Sequence, residues 1–162
     1  VNKHAHLLER QQWIVRPIGA VFAFFSDAAN LQAITPPWLD FCILTQLPVK
    51  LEAGALLDYR IRLLGVRLKW RTVIEDWQPP YRFVDRQVRG PYALWHHTHE
   101  FVEQDGGVLM TDRVRYRIGW GPLGSLAGGL FVRRWLDQIF DFRRQRIAAL
   151  LPDLVAADKI QG

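Results

Sequence analysis

The segment Trp95-His96-His97-Thr98-His99-Glu100-Phe101 sets three imidazoles within four positions. Imidazole is the side chain that takes and gives a proton near neutral pH, and it is the commonest ligand of transition metals. Two histidines two residues apart on a strand share one face, with β-carbons roughly 6.5–7 Å apart. That spacing suits two ligands of one metal ion. With a carboxylate alongside, it suits an acid–base pair instead. Which chemistry is open depends on the side chains that face inward together, and hence on the elements that carry them.

Residues 7–16 read as a first strand. Pro17 stands where a helix begins, and residues 17–34 read as one or two short helices, with Ser26 or Asp27 capping the second. Pro36 and Pro37 end that stretch. From Phe41 the period becomes two, in six successive runs separated by turn-forming residues: 41–47, 56–64, 66–77, 82–88, 93–102 and 108–118. The Asp105-Gly106-Gly107 turn is the clearest hairpin signal. Residues 125–151 return to helical spacing: Val132, Leu136, Ile139, Phe140, Ile147 and Leu150 form an apolar stripe, and arginines, Arg143 among them, occupy much of the rest. The glycine-rich stretch 119–129 reads as the entry to that helix and the mouth of a cavity. It lacks the lysine and hydroxyl residue of a phosphate loop.

Alternation then sorts the strand faces. Tyr59, Ile61 and Leu63 oppose Asp58, Arg60 and Arg62; Trp70, Thr72 and Ile74 oppose Lys69, Arg71 and Glu75. With Phe83 inward, Asp85 and Gln87 follow; with Trp95 and Phe101 inward, His97 and His99 follow and His96 faces out. Asp112 shares its face with Met110, Val114 and Tyr116. So many polar groups would be costly in a filled, dry core unless paired, and they suit a pocket. Asp85 or Asp112 could then supply an acid–base partner or a third metal ligand. No fixed third ligand is visible in the spacing, so no metal and no cofactor is expected. Trp38 is a candidate for the aromatic wall, and the terminal-helix residues Trp135, Ile139 and Phe142 are candidates to close the pocket.

The 162 residues suit one domain, 1–162, with its core at about 7–151. Hydrophobic residues make up 49% and charged residues 23%, ordinary for a globular chain. Seven tryptophans and nine phenylalanines exceed what a core this size needs, which again favours a cavity wall. A net charge of +5 permits contact with nucleic acid or an anionic membrane without requiring it. The outward Arg60, Arg62, Arg71, Arg86, Arg113, Arg115 and Arg117, with Lys69, form a basic face on which no aromatic interleaves, so no nucleic-acid partner is expected. A lone cysteine, Cys42, rules out an internal disulfide. No apolar run is long enough to span a bilayer, and the N-terminus carries no signal-peptide pattern, so the expected compartment is the cytoplasm.

The order strand, two helices, six strands and long helix resembles the START-like helix-grip superfamily (SRPBCC), in its polyketide cyclase/dehydrase-type and ligand-binding branches. The residues that carry the resemblance are ITPPWL at 34–39, FVDRQVRGPYALWHHTHEF at 83–101, GVLMTDRVRYRI at 107–118 and GPLG at 121–124. The resemblance implies an α+β fold in which a seven-stranded curved antiparallel sheet grips the long C-terminal helix over a cavity. It also implies an apolar or amphipathic ligand, such as a lipid, quinone or polyketide-like molecule. The expected ligand-binding residues are Trp38, Tyr59, Ile61, Trp70, Thr72, Phe83, Asp85, Gln87, Trp95, His97, His99, Asp112, Val114, Tyr116, Trp135 and Ile139. The alternatives are a cyclase or dehydratase using Asp85, His97, His99 and Asp112 as acid and base, and an interaction module using the basic face.

Overall fold

The computed structural model describes residues 5–119 and 127–152. Residues 120–126, most of the expected cavity mouth and the first residues of the expected terminal helix, lie outside them. β1 (His6–Ile14) leads into α1 (Ile18–Ser26) and α2 (Ala28–Ala33), and a single 3-10 turn follows at Pro37–Leu39. Asp27 caps α2, its carboxylate accepting from the Ala29 amide at 2.9 Å. Six further strands follow: β2 (Cys42–Ile43), β3 (Leu56–Leu63), β4 (Val66–Gln78), β5 (Arg82–Arg89), β6 (Tyr92–Gln104) and β7 (Gly107–Ile118). α3 (Ala127–Leu150) closes the described chain. No described helix is long and apolar enough to cross a membrane.

All seven strands form one antiparallel sheet in the order β1-β7-β6-β5-β4-β3-β2. Each strand from β2 to β7 pairs with its chain neighbour, and β1 returns to cover the free edge of β7. The helices pack on the inner face, which is the apolar face that alternation assigns.

Two local outcomes differ from the periodicity. The run 41–47 forms only a two-residue strand. Beyond Ile43 the Leu44 and Thr45 amides both donate to the Asp58 carbonyl, and the Thr45 hydroxyl accepts from the Asp58 amide at 2.8 Å. The ladder therefore ends in side-chain bonding. In β4 the register to β5 slips between Ile74 and Asp76. The extra residue of such a bulge restarts the alternation and bends the strand, so Trp77 joins Ile74 on the inner side and packs against Phe22 and Phe83.

Two hairpins are closed by two-residue turns with both residues in the left-handed region: Leu64-Gly65 (φ 49° and 81°) and Asp105-Gly106 (φ 46° and 79°). Asp-Gly is the pair such a turn favours, whereas leucine is not. Leu64 is also exposed. Leu64→Asn should raise the unfolding free energy by about 1 kcal/mol, since asparagine tolerates positive φ. Urea unfolding would show this as a higher midpoint at unchanged slope.

Three buried clusters surround the space under the helices. One gathers Ile14, Phe22, Phe25, Phe83, Phe101, Met110 and Ile147; a second, Leu8, Val114, Tyr116, Leu136 and Phe140; a third, Ala28, Leu51, Leu57 and Ile74. The cavity lies where they meet.

Candidate functional site

Strand register builds the site. Asp85 stands opposite His97 across β5 and β6, and Asp112 stands opposite His99 across β6 and β7. Facing and diagonal neighbours on adjacent strands are within reach of each other, so the two histidines sit between two carboxylates. His97 Nε2 bonds Asp112 Oδ1 at 2.9 Å, and His99 Nε2 bonds Asp85 Oδ2 at 2.8 Å. The other nitrogens face the opposite carboxylates. His97 Nδ1 is 3.5 Å from Asp85 Oδ2, and His99 Nδ1 is 2.9 Å from Asp112 Oδ1. That last contact lies off the hydrogen-bonding direction and leaves His99 Nδ1 buried without a hydrogen-bond partner among the described residues. The two rings lie 3.8 Å apart, and Phe83 stacks on His99 at 4.1 Å.

α3 adds a cation. Arg143 Nε lies 3.4 Å from Asp112 Oδ2, with its guanidinium carbon 5.5 Å from the centre of the Phe25 ring. Arg143 is 9% exposed and Asp112 only 4%. Burial alone would raise the Asp112 carboxyl; the charges of Arg143 and His97 override this and hold it well below the usual carboxylate range. At Asp85 burial again pushes up, and His97 and His99 bring the carboxyl below its ordinary value. His97 is lowered by burial and by the neighbouring His99. His99 feels the same burial, but the carboxylates of Asp112 and Asp85 outweigh it and raise it. Arg143 and the two imidazoles thus face the carboxylates of Asp112 and Asp85, so that the buried anions have cationic or hydrogen-bonding partners.

This group forms the polar end of a cavity of about 180 Å³. Of the sequence-predicted residues, Tyr59, Ile61, Trp70, Thr72, Phe83, Asp85, Trp95, His97, His99, Trp135 and Ile139 line it together. The Tyr59 hydroxyl lies 3.2 Å from the Thr72 hydroxyl, and burial pushes the phenol well above its ordinary value. Five predicted residues do not line the cavity. Trp38 is 50% exposed and rests edge-on against Phe142, because the 3-10 turn directs Leu39 inward instead. Gln87 turns back to bond the Tyr92 backbone, its amide donating to the carbonyl at 2.6 Å, and so braces the β5–β6 turn. Asp112 stands behind the histidines. Val114 and Tyr116 are covered by Leu136 and Phe140 of α3.

Sequence reasoning missed Arg143, assigning it to the polar side of the helix. Leu136, Phe140 and Ile147 are buried on α3, and position 143 falls on the same stripe, three after 140 and four before 147. The gap in that stripe was the available signal. Tyr92, Leu57, Ile74 and the α1–α2 residues Phe25, Leu31 and Ile34 also line the cavity. On the outer face most of the arginines have acidic neighbours: Arg62 with Asp40, Arg71 with Asp58, Arg86 with Glu75, and Arg113 with Glu9 and Glu100. His96 faces out and lies 3.4 Å from Glu75.

No family model and no curated protein matches the chain. Solved structures do. An aromatase/cyclase, Zhui, from a Streptomyces species superposes with a TM-score of 0.72 at 15% identity, covering 96% of this chain and 99% of that one. A START superfamily protein from Mycobacterium smegmatis gives 0.65 at 12% identity, over 90% and 99%. The ginseng major latex-like protein 151 from Panax ginseng gives 0.60 at 11% identity, over 91% and 98%. At these identities the likeness establishes the fold, which is the START-like helix grip.

Proposed function

We propose that this helix-grip chain binds an apolar or amphipathic small molecule in the cavity between sheet and α3, with the ligand's polar end against Asp85, His97 and His99. The observation that carries the reading is a largely aromatic and aliphatic wall converging on one cluster of charged groups. That is the usual composition of a ligand site: apolar surface supplies affinity and a few polar groups fix orientation. A dry apolar cavity of about 150 Å³ accepts benzene, so 180 Å³ suits a ligand of one or two rings, or a short bent chain. The likeness to an aromatase/cyclase supports the reading at the level of fold.

The test is thermal unfolding with 2-naphthol, a two-ring molecule with one hydroxyl. At a concentration about 100 times its Kd, a ligand of the folded state adds about 2.7 kcal/mol, or roughly 5–10 °C in a chain of this size. A saturable shift, weakened by Ile139→Trp, is expected. The reading fails if 2-naphthol, decanol and decanoic acid all leave the transition where it was. A cyclase or dehydratase would use the same cavity, and mass analysis of the ligand recovered after incubation separates conversion from simple binding.

A further inference from the structure

We propose that Asp85 Oδ2, His97 Nδ1 and His99 Nε2 form a binding site for a divalent transition-metal ion at the polar end of the cavity. One ligand atom from each of the three residues lies within 4.8 Å of the other two, and Asp85 Oδ2 is 2.8 Å from His99 Nε2 and 3.5 Å from His97 Nδ1. Metal bonds of about 2.0–2.2 Å place the ligand atoms of one ion about 3–3.6 Å apart, so small ring rotations complete the set. The sequence offered the two histidines without a fixed third ligand. The β5–β6 register supplies it.

Two further observations point to a cation. Metal-ligating histidines almost always donate their other ring N–H to a carboxylate or carbonyl, which fixes the tautomer and turns the lone pair toward the ion. His97 is placed for this arrangement: in the neutral tautomer whose Nε2–H donates to Asp112, Nδ1 presents a lone pair to a carboxylate oxygen 3.5 Å away. In that tautomer two acceptors face each other and repel, and a cation between them, a metal ion in place of a proton, removes the repulsion. The second observation is the orphaned His99 Nδ1, on a ring 4% exposed. With Nε2 on an ion, Nδ1 would carry the proton, and the small ring rotation that seats the ion would have to bring it into line with Asp112 Oδ1, 2.9 Å away. One buried carboxylate thus backs both rings.

The donor set also selects the ion and the ligand. Two imidazoles and one carboxylate suit zinc or ferrous iron, whereas calcium and magnesium prefer all-oxygen sites. Asp85 and Asp112 carry two negative charges and Arg143 offsets one, so with neutral imidazoles a divalent ion leaves a surplus of one positive charge. The ligand that complements it carries an anionic oxygen (a phenolate, enolate or carboxylate) on a small apolar body. A bound ion would polarise that oxygen as a Lewis acid. This ligand class rests on the function proposed above, but the metal site does not.

Zinc chloride alone is titrated by calorimetry into untagged, chelator-stripped chain. One ion per chain is expected. Asp85→Asn, His97→Ala and His99→Ala should each weaken binding at least a hundredfold, Asp112→Asn ten- to hundredfold, and His96→Ala not at all. On the wild-type chain, zinc must shift the imidazole nitrogen resonances of His97 and His99 and spare those of His96; this readout holds even if a variant fails to fold. No stoichiometric zinc overturns the assignment. So does zinc that the three variants retain, or that leaves the His97 and His99 nitrogens unshifted. A 2-naphthol shift that survives in stripped chain without any zinc binding sinks the metal site alone. Zinc binding without any 2-naphthol shift sinks the ligand reading alone.

Discussion

Replacing Asp112 with alanine lowers the unfolding free energy by about 3–5 kcal/mol, enough to threaten a typical domain. The size follows from what the carboxylate leaves behind. Arg143 is 9% exposed, its guanidinium lies among Phe25 and Phe140, and Asp112 at 3.4 Å is the one carboxylate recorded in an ion pair with it among the described residues. Without it a buried cation is uncompensated, and His97 Nε2 loses its partner. Breaking such a pair from one side is far more costly than replacing both members. Asp112→Ala combined with Arg143→Met should therefore recover most of the loss, since methionine fills the space without a charge to bury. Urea unfolding of the two single variants and the double variant gives the coupling directly. If the double variant is as unstable as the sum of the singles, Arg143 and Asp112 do not compensate each other and the pairing drawn for them is wrong.

That pair also marks where the sequence stopped being informative. Face assignment on strands needs only a period of two, and it put His97, His99, Asp85 and Asp112 on one side because nothing interrupts β6 or β7 between them. It did not reveal which carboxylate meets which ring. That depends on cross-strand register, which turn lengths fix and which alternation within one strand cannot express. Trp77 escaped for a related reason: the bulge after Ile74 reverses the alternation, and no residue type announces it. Arg143 escaped because a charged residue on a helix is solvated by default, and only its buried partner on another element makes an inward arginine tolerable. Trp38 erred in the opposite sense. Its aromatic ring suggested a cavity wall, yet the turn at Pro36 and Pro37 puts Leu39 inside and the indole at the surface. Composition argued for a cavity, and local geometry decided which aromatics built it.

Trp70→Ala should cost about 3–5 kcal/mol and at the same time change which ligand the cavity prefers. Trp70 is 6% exposed at the centre of β4, stacked on Tyr59 at 5.6 Å and edge-on to Trp95 at 5.3 Å, with Tyr92 at 5.6 Å. Its removal forfeits the transfer energy of the largest side chain and several aromatic contacts, each worth about 0.5–1.5 kcal/mol beyond area. The indole N–H has no hydrogen-bond partner among the described residues, so no polar bond to them is lost with it and the cost lies in packing. The vacated volume adjoins the existing cavity, because Trp70 lines it. It therefore becomes space for a ligand, and an occupant that fills it restores contacts the variant lacks. The wild-type chain should favour 2-naphthol over the three-ring 2-anthrol. Trp70→Ala should shift that ratio more than tenfold toward the larger molecule, and added indole should raise its melting temperature. Trp70→Phe should retain most of the stability and shift the preference only slightly. A Trp70→Ala chain that is destabilised as expected, yet discriminates between the two probes as the wild type does, would mean that the probes bind elsewhere and that the aromatic wall is only core.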